Sequence, residues 1–192
     1  MKLPHFFIDD SDAIKIEETI DFFISWTIRC ADEIHQKNNK KVHENSRKIL
    51  SKLLGFENAD LLRFSDIKVR KQHRNIDLWV ELKLNDQEYA LIIENKMYSA
   101  INHNQLNRVM KLVEHHYLEE PTRIIEYALL RLDYELEKQD EPLVIVTDFN
   151  FYNLVQLAEY IDANKTGNQL FDEFWFYWAI DGRIKKAKNK IS

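Results

Sequence analysis

Three residues at the open end of one β-hairpin are of types and spacing that could do chemistry together. Asp77 opens a β-prone run from Ile76 to Leu84. A turn at Asn85-Asp86-Gln87 follows, and a second run, Tyr89 to Ile93, ends in Glu94-Asn95-Lys96. Strands joined by a tight turn lie side by side, so the start of the first meets the end of the second and Asp77 stands across the ladder from Glu94. Strand alternation sends Glu94 and Lys96 to one face, about 7 Å apart along the strand. Two carboxylates about 4 Å apart repel by about 4 kcal/mol at an effective dielectric of about 20. A cation between them relieves that repulsion. Lys96 is one candidate. A hard divalent ion is another, since Mg2+ is typically held by one or two carboxylates together with water and phosphate oxygens. The competing readings are structural: a turn or strand-start residue for Asp77 after Asn75, and an exposed, energetically minor ion pair for Glu94 and Lys96. Neither explains why polar residues end the most hydrophobic strand of the chain.

The run Ile92-Ile93-Glu94-Asn95-Lys96 with Asp77 upstream, followed by Asn104-Gln105-Leu106 on the next helix, resembles the PD-(D/E)XK nuclease superfamily, and within it the subgroup with an I-I-E-N-K core and a downstream Q-L. The resemblance extends from about Glu44 to Tyr160. Ile76 stands in place of the Pro of the family's name, and Val109 where many members carry a Tyr four residues after the Gln. The resemblance implies an α/β, restriction-endonuclease-like fold: a central mixed β-sheet flanked by helices in an αβββαβ core, here with additional N- and C-terminal helices. It also implies a metal-dependent phosphodiesterase acting on DNA or another nucleic acid. Asp77 and Glu94, with the backbone carbonyl of Asn95, would hold Mg2+ or Mn2+. Lys96 would orient water or stabilise the developing phosphorane charge, and Gln105 would position water or phosphate without adding charge. A helix before the sheet often supplies a further acidic residue in this superfamily; Glu44 is the candidate, with a surface glutamate as the rival reading. The functional alternatives are a non-catalytic nucleic-acid- or protein-binding member of the same fold, or an unrelated dimeric interaction protein.

These residues need a hairpin, a helix after it and something covering the sheet. Apolar residues recur at helical spacing at Ile16, Ile20, Phe23, Ile24, Thr27, Ile28 and Ala31, predicting a helix from Ala13 to about Lys37, with Asp12 as N-cap. A second helix is expected from about Val42 to Leu54, ended by Gly55. Strands are expected at Ile67–Lys71, Ile76–Leu84 and Glu88–Asn95, then a helix from Ala100 or Ile101 through Tyr117. Arg123 to Arg131 fits either a helix or a buried strand by periodicity; the family resemblance favours a strand reached by a helix crossover. Tyr134 to Glu141 reads as a charged connection and Leu143 to Thr147 as a short strand. Helices are expected from Asn150 or Asn153 to Asp162 and from Leu170 to Ile180.

Length and composition bound the rest. The chain has 192 residues, 45% of them hydrophobic and 12% aromatic, with three Gly and three Pro. That suits one domain, residues 1–192, with a sizeable core, few loops and long helices. The net charge of −5 does not announce nucleic-acid binding, but the charge is uneven. Arg70, Lys71 and Arg74 belong to a basic segment just before Asp77, and Arg183, Lys185, Lys186, Lys188 and Lys190 form a basic tail; either could meet phosphates. A single cysteine, Cys30, excludes an intramolecular disulfide framework and a thiolate zinc site. His103, His115 and His116 lack partner spacings for zinc. No apolar run long enough for a leader or a membrane span of about 18 residues is visible, so a cytoplasmic protein is expected. The aromatic run Phe174 to Trp178 and the helix carrying Phe22, Phe23 and Trp26 suggest either core or a homodimer contact.

Overall fold

The computed structural model describes residues 13–96, 102–131, 148–162 and 164–180. The expected lead-in through Asp12, the start of the helix at 100–101, the connection and strand within 132–147 and the basic tail after 180 lie outside the described residues. Helix α1 spans Ala13–Cys30 and α2 Lys40–Leu53, with a short 3-10 turn, Glu33–His35, between them. Strands β1 (Phe64–His73), β2 (Ile76–Leu84) and β3 (Gln87–Asn95) follow. Next come α3 (His103–His116), β4 (Ile124–Arg131) and β5 (Phe149–Asn153). Helix α4 (Leu154–Tyr160) and helix α5 (Gln169–Glu173), which runs on into a π-helical turn at Phe174–Trp178, complete the described chain.

The sheet order is β1-β2-β3-β4-β5. The first three strands are antiparallel neighbours, while β4 runs parallel to β3 and β5 parallel to β4. This is a mixed α/β sheet flanked by helices, of the restriction-endonuclease-like kind. Arg123 to Arg131 is resolved in favour of strand: Ala128, Leu129 and Leu130 are all buried, because a parallel strand inside the sheet has both faces covered.

Two-residue turns set the register. Arg74 and Asn75 (φ 55° and 63°) join β1 to β2, and Asn85 and Asp86 (φ 47° and 68°) join β2 to β3. Positive φ at both central residues marks the turn type whose twist matches antiparallel strands, and Asn and Asp tolerate it better than most residues. β1 is longer than its hydrophobicity predicts because it lies at the sheet edge: beyond Phe64 its residues alternate between half-buried and exposed, and it is rich in Lys, Arg and Gln.

Alternation splits the sheet between two apolar clusters. Leu78, Val80, Leu82, Leu91 and Ile93 face α1, α2, α4 and α5. Trp79, Ala90, Ile92 and Leu129 face α3, whose Leu106, Val109 and Val113 cover them. Trp79, on Asp77's side of β2, is fully buried there and donates its indole N–H to Tyr117 Oη at 2.7 Å.

The aromatic helices meet each other inside the fold. Phe23 of α1 stacks on Phe174 at 4.1 Å, and the Trp175 indole N–H donates to Thr27 Oγ1 at 3.1 Å. Phe174 and Trp175 are fully buried, so this run serves the core and leaves only its Tyr177 side substantially exposed. No helix among the described residues is long and apolar enough to cross a membrane.

Candidate functional site

Register builds the site. Leu78 pairs with Ile93 across β2–β3, so one residue further out Asp77 stands opposite Glu94. On the other side Lys71 pairs with Leu78 and His73 with Ile76, so Gln72 stands opposite Asp77. Gln72, Asp77 and Glu94 thus form a row across three strands at the open end of the sheet. Asp77 Oδ1 accepts from Gln72 Nε2 at 3.0 Å, and its Oδ2 accepts from the Asn95 backbone N–H at 2.8 Å.

Glu94 is fully buried. Its Oε2 receives Lys96 Nζ at 3.1 Å and Gln105 Nε2 at 3.1 Å, while its Oε1 has no donor among the described residues. Lys96 reaches it because residues two apart share a strand face. Gln105 reaches it from the first turn of α3, whose start is fixed by Asn102 Oδ1 accepting the N–H groups of Asn104 and Gln105. Burial pushes the Glu94 carboxyl up to about 7, the nearby Asp77 carboxylate adds to that shift, and Lys96 only partly offsets it.

A carboxylate in this state lacks positive charge, and the orphaned Oε1 is the atom an ion would occupy. Among the described residues no group of three or more His, Cys, Asp and Glu is gathered for a metal. Two carboxylates are nevertheless enough for a Mg2+-type ion that keeps water and binds phosphate. The donor set, all hard oxygens, fits such an ion.

Glu44 lies elsewhere. The apolar stripe of α2 (Val42, Ile49, Leu50, Leu53) is buried, which leaves Glu44 half-exposed and 3.7 Å from Lys40 in an ion pair one helical turn away. The acidic residue that a helix does bring to the site is Asp21 of α1, buried, with Asn95 Nδ2 donating to its Oδ1 at 3.0 Å. Sequence reasoning missed both Asp21 and Gln72. Gln72 was readable by carrying the hairpin register back through the Arg74-Asn75 turn. Asp21 carried no such local signal, because its neighbour Asn95 is distant in sequence.

The basic segment before Asp77 is divided by strand alternation. Arg70 turns to the α3 side and pairs with Glu81 at 3.3 Å, whereas Lys71 lies over the Phe22 ring on the α1 side. Arg74 is exposed on the turn. A cavity of about 540 Å3 lined by Trp26, Arg29, His35 and His43 lies toward the other end of α1 and contains none of the site residues.

A mixed sheet whose antiparallel hairpin presents paired carboxylates and a lysine at its open end, beside a helix crossover, is a nuclease-type architecture. The chain belongs to the PD-(D/E)XK nuclease superfamily: the family model of that description matches residues 18–173. No curated protein and no solved structure matches the chain.

Proposed function

We propose that this protein is a Mg2+- or Mn2+-dependent nuclease that hydrolyses phosphodiester bonds of DNA. The observation that carries the reading is Glu94: fully buried, beside Asp77, with Lys96 and Gln105 on one oxygen and, among the described residues, no donor on the other. A buried carboxylate without full compensation is costly in a fold and is characteristic of functional sites. Asp77 and Glu94, with the Asn95 carbonyl, would hold the ion. When bound, the ion polarises the scissile phosphate and lowers the pKa of water at the site.

The remaining work falls to the chain's own groups. Lys96 places its Nζ beside Glu94, where it can stabilise negative charge that grows on the phosphate oxygens. Gln105 holds the Glu94 carboxylate in place and has a second amide hydrogen for water or phosphate. Arg74, exposed at the turn beside Asp77, contacts backbone phosphate; Arg70 and Lys71 join it only if DNA draws them from Glu81 and Phe22.

Circular plasmid, linear duplex and single-stranded DNA incubated with the protein in Mn2+ or Mg2+, with Lys96→Ala in parallel, test the reading. Cleavage by the parent that disappears in the variant supports it, and the substrate that is nicked or shortened distinguishes endonuclease from exonuclease. A second reading, a DNA-binding member without catalysis, is favoured by the net charge of −5 and by Val109, which is buried against the sheet where many members have a Tyr. Metal-independent DNA binding without cleavage of any substrate would favour it.

A further inference from the structure

The hydrogen bonds around Asp77 close into a ring of four residues from four elements. Asn95 of β3 donates its backbone N–H to Asp77 Oδ2 (2.8 Å) and its side-chain Nδ2 to Asp21 Oδ1 of α1 (3.0 Å). Gln72 of β1 completes the ring, its Nε2 donating to Asp21 Oδ2 at 3.4 Å and to Asp77 Oδ1 at 3.0 Å. The two hydrogens of one neutral amide are thus divided between two carboxylates. Asp21 and Asn95 are only 5% and 3% exposed, so their bond is shielded from competition with water. Gln72 holds a left-handed backbone, φ 50°, two residues before the Arg74-Asn75 turn, a conformation that is costly for a residue with a side chain. The sheet does not need this ring for its pairing, since β1, β2 and β3 are joined by their own ladders.

The geometry points to Asp21 and Gln72 as positioning residues for Asp77: helix α1, through a partly buried amide ring, fixes the orientation of the carboxylate that faces the metal. The inference rests on the metal-site reading above and extends it to two residues outside the Asp77-Glu94-Lys96 trio. Both oxygens of Asp77 are held, one by the Asn95 N–H and one by Gln72, so the carboxylate enters ligation already oriented. Asp21 is the anchor of both arms, because it receives the side chains of Gln72 and Asn95 together. Partners that orient a ligating group in this way typically affect metal affinity about 10- to 100-fold.

The test is calorimetric titration of Mn2+ into the full chain for the parent, Asp21→Asn and Gln72→Leu, with circular dichroism to verify the fold and steady-state cleavage kinetics alongside. Asp21→Asn removes the charge and turns an NH2 group toward Gln72 or Asn95, both of them donors. Gln72→Leu acts at an exposed position and keeps the protein folded if Asp21→Asn does not. Each variant is expected to bind Mn2+ about tenfold or more weakly and to lower kcat with little change in KM for DNA. Variants that are folded and bind Mn2+ within about twofold of the parent, whatever their melting temperature, overturn the inference and leave a purely structural brace. A parent that binds no Mn2+ overturns the metal-site reading, and with it this one, so the two failures are distinguishable.

Discussion

At the turn end of the β2–β3 ladder, Lys83 Nζ lies 2.7 Å from Asp66 and 3.9 Å from Glu88, with Asp66 exposed and Lys83 and Glu88 partly so. At the open end Lys96 Nζ lies 3.1 Å from Glu94, with both side chains nearly or fully buried. Composition and distance are alike, yet the ionisations move in opposite directions. The Lys83 hydrogen bond holds the Asp66 carboxyl below the usual carboxylate range, and the same bond raises Lys83. Glu94 is pushed up to about 7 despite its lysine, because burial and the Asp77 carboxylate outweigh one ammonium. A solvated ion pair satisfies itself; a buried one with a second carboxylate beside it is left short of positive charge. That shortage, rather than the presence of a Glu-Lys pair, distinguishes the candidate site from the rest of the sheet.

The comparison can be broken most severely by catalysis. Glu94→Gln and Lys96→Ala are expected to reduce DNA cleavage roughly 10²- to 10³-fold while keeping the fold, measured by plasmid nicking in Mn2+ with circular dichroism as the fold control. Cleavage within a few-fold of the parent would remove these residues from the site.

Stability without metal is the next largest effect. An acid whose folded pKa lies above its unfolded value stabilises the fold only while protonated. The parent should therefore hold this contribution below its ordinary value of 4.5 and lose it as pH rises through about 7. Relative to Glu94→Gln, the parent should lose roughly 3 kcal/mol between pH 4.5 and pH 8 in chelator, read from urea melts. Parallel curves for the two proteins would show that Glu94 is not perturbed.

Metal binding sharpens the same point from the other side. The ion competes with the proton on Glu94, so Mn2+ affinity should be roughly thirtyfold weaker at pH 5.5 than at pH 8, levelling above pH 7. A flat calorimetric profile over that range argues against Glu94 as a ligand. The smallest effect belongs to the exposed end: Lys83→Ala should shift the melting temperature by less than about 2 °C and leave Mn2+ affinity unchanged. A larger shift would mean that exposure does not separate the two ends.

Some of this was settled by the sequence. The hairpin Ile76–Leu84 and Gln87–Asn95 follows from its alternation and from Asn85-Asp86, and a two-residue turn leaves little freedom of register. Asp77 opposite Glu94, with Lys96 on Glu94's face, is a local consequence, legible because strand geometry relates neighbours across a short turn. The strand at Ile124–Arg131 was not settled that way, since a short apolar run fits a strand or a buried helix equally and only its place beside β3 decides. Tertiary packing decided the rest. Gln105 meets Glu94 because α3 returns over the sheet. Asp21, not Glu44, is the carboxylate a helix brings to the site, because α1 turns Asp21 toward Asn95 while α2 turns Glu44 to solvent. Arg70 and Lys71, adjacent in the chain, part to opposite faces. The burial that unsettles Glu94 is itself a tertiary property. Spacing along a strand determines which side chains share a face, but desolvation depends on what the remote chain lays over that face.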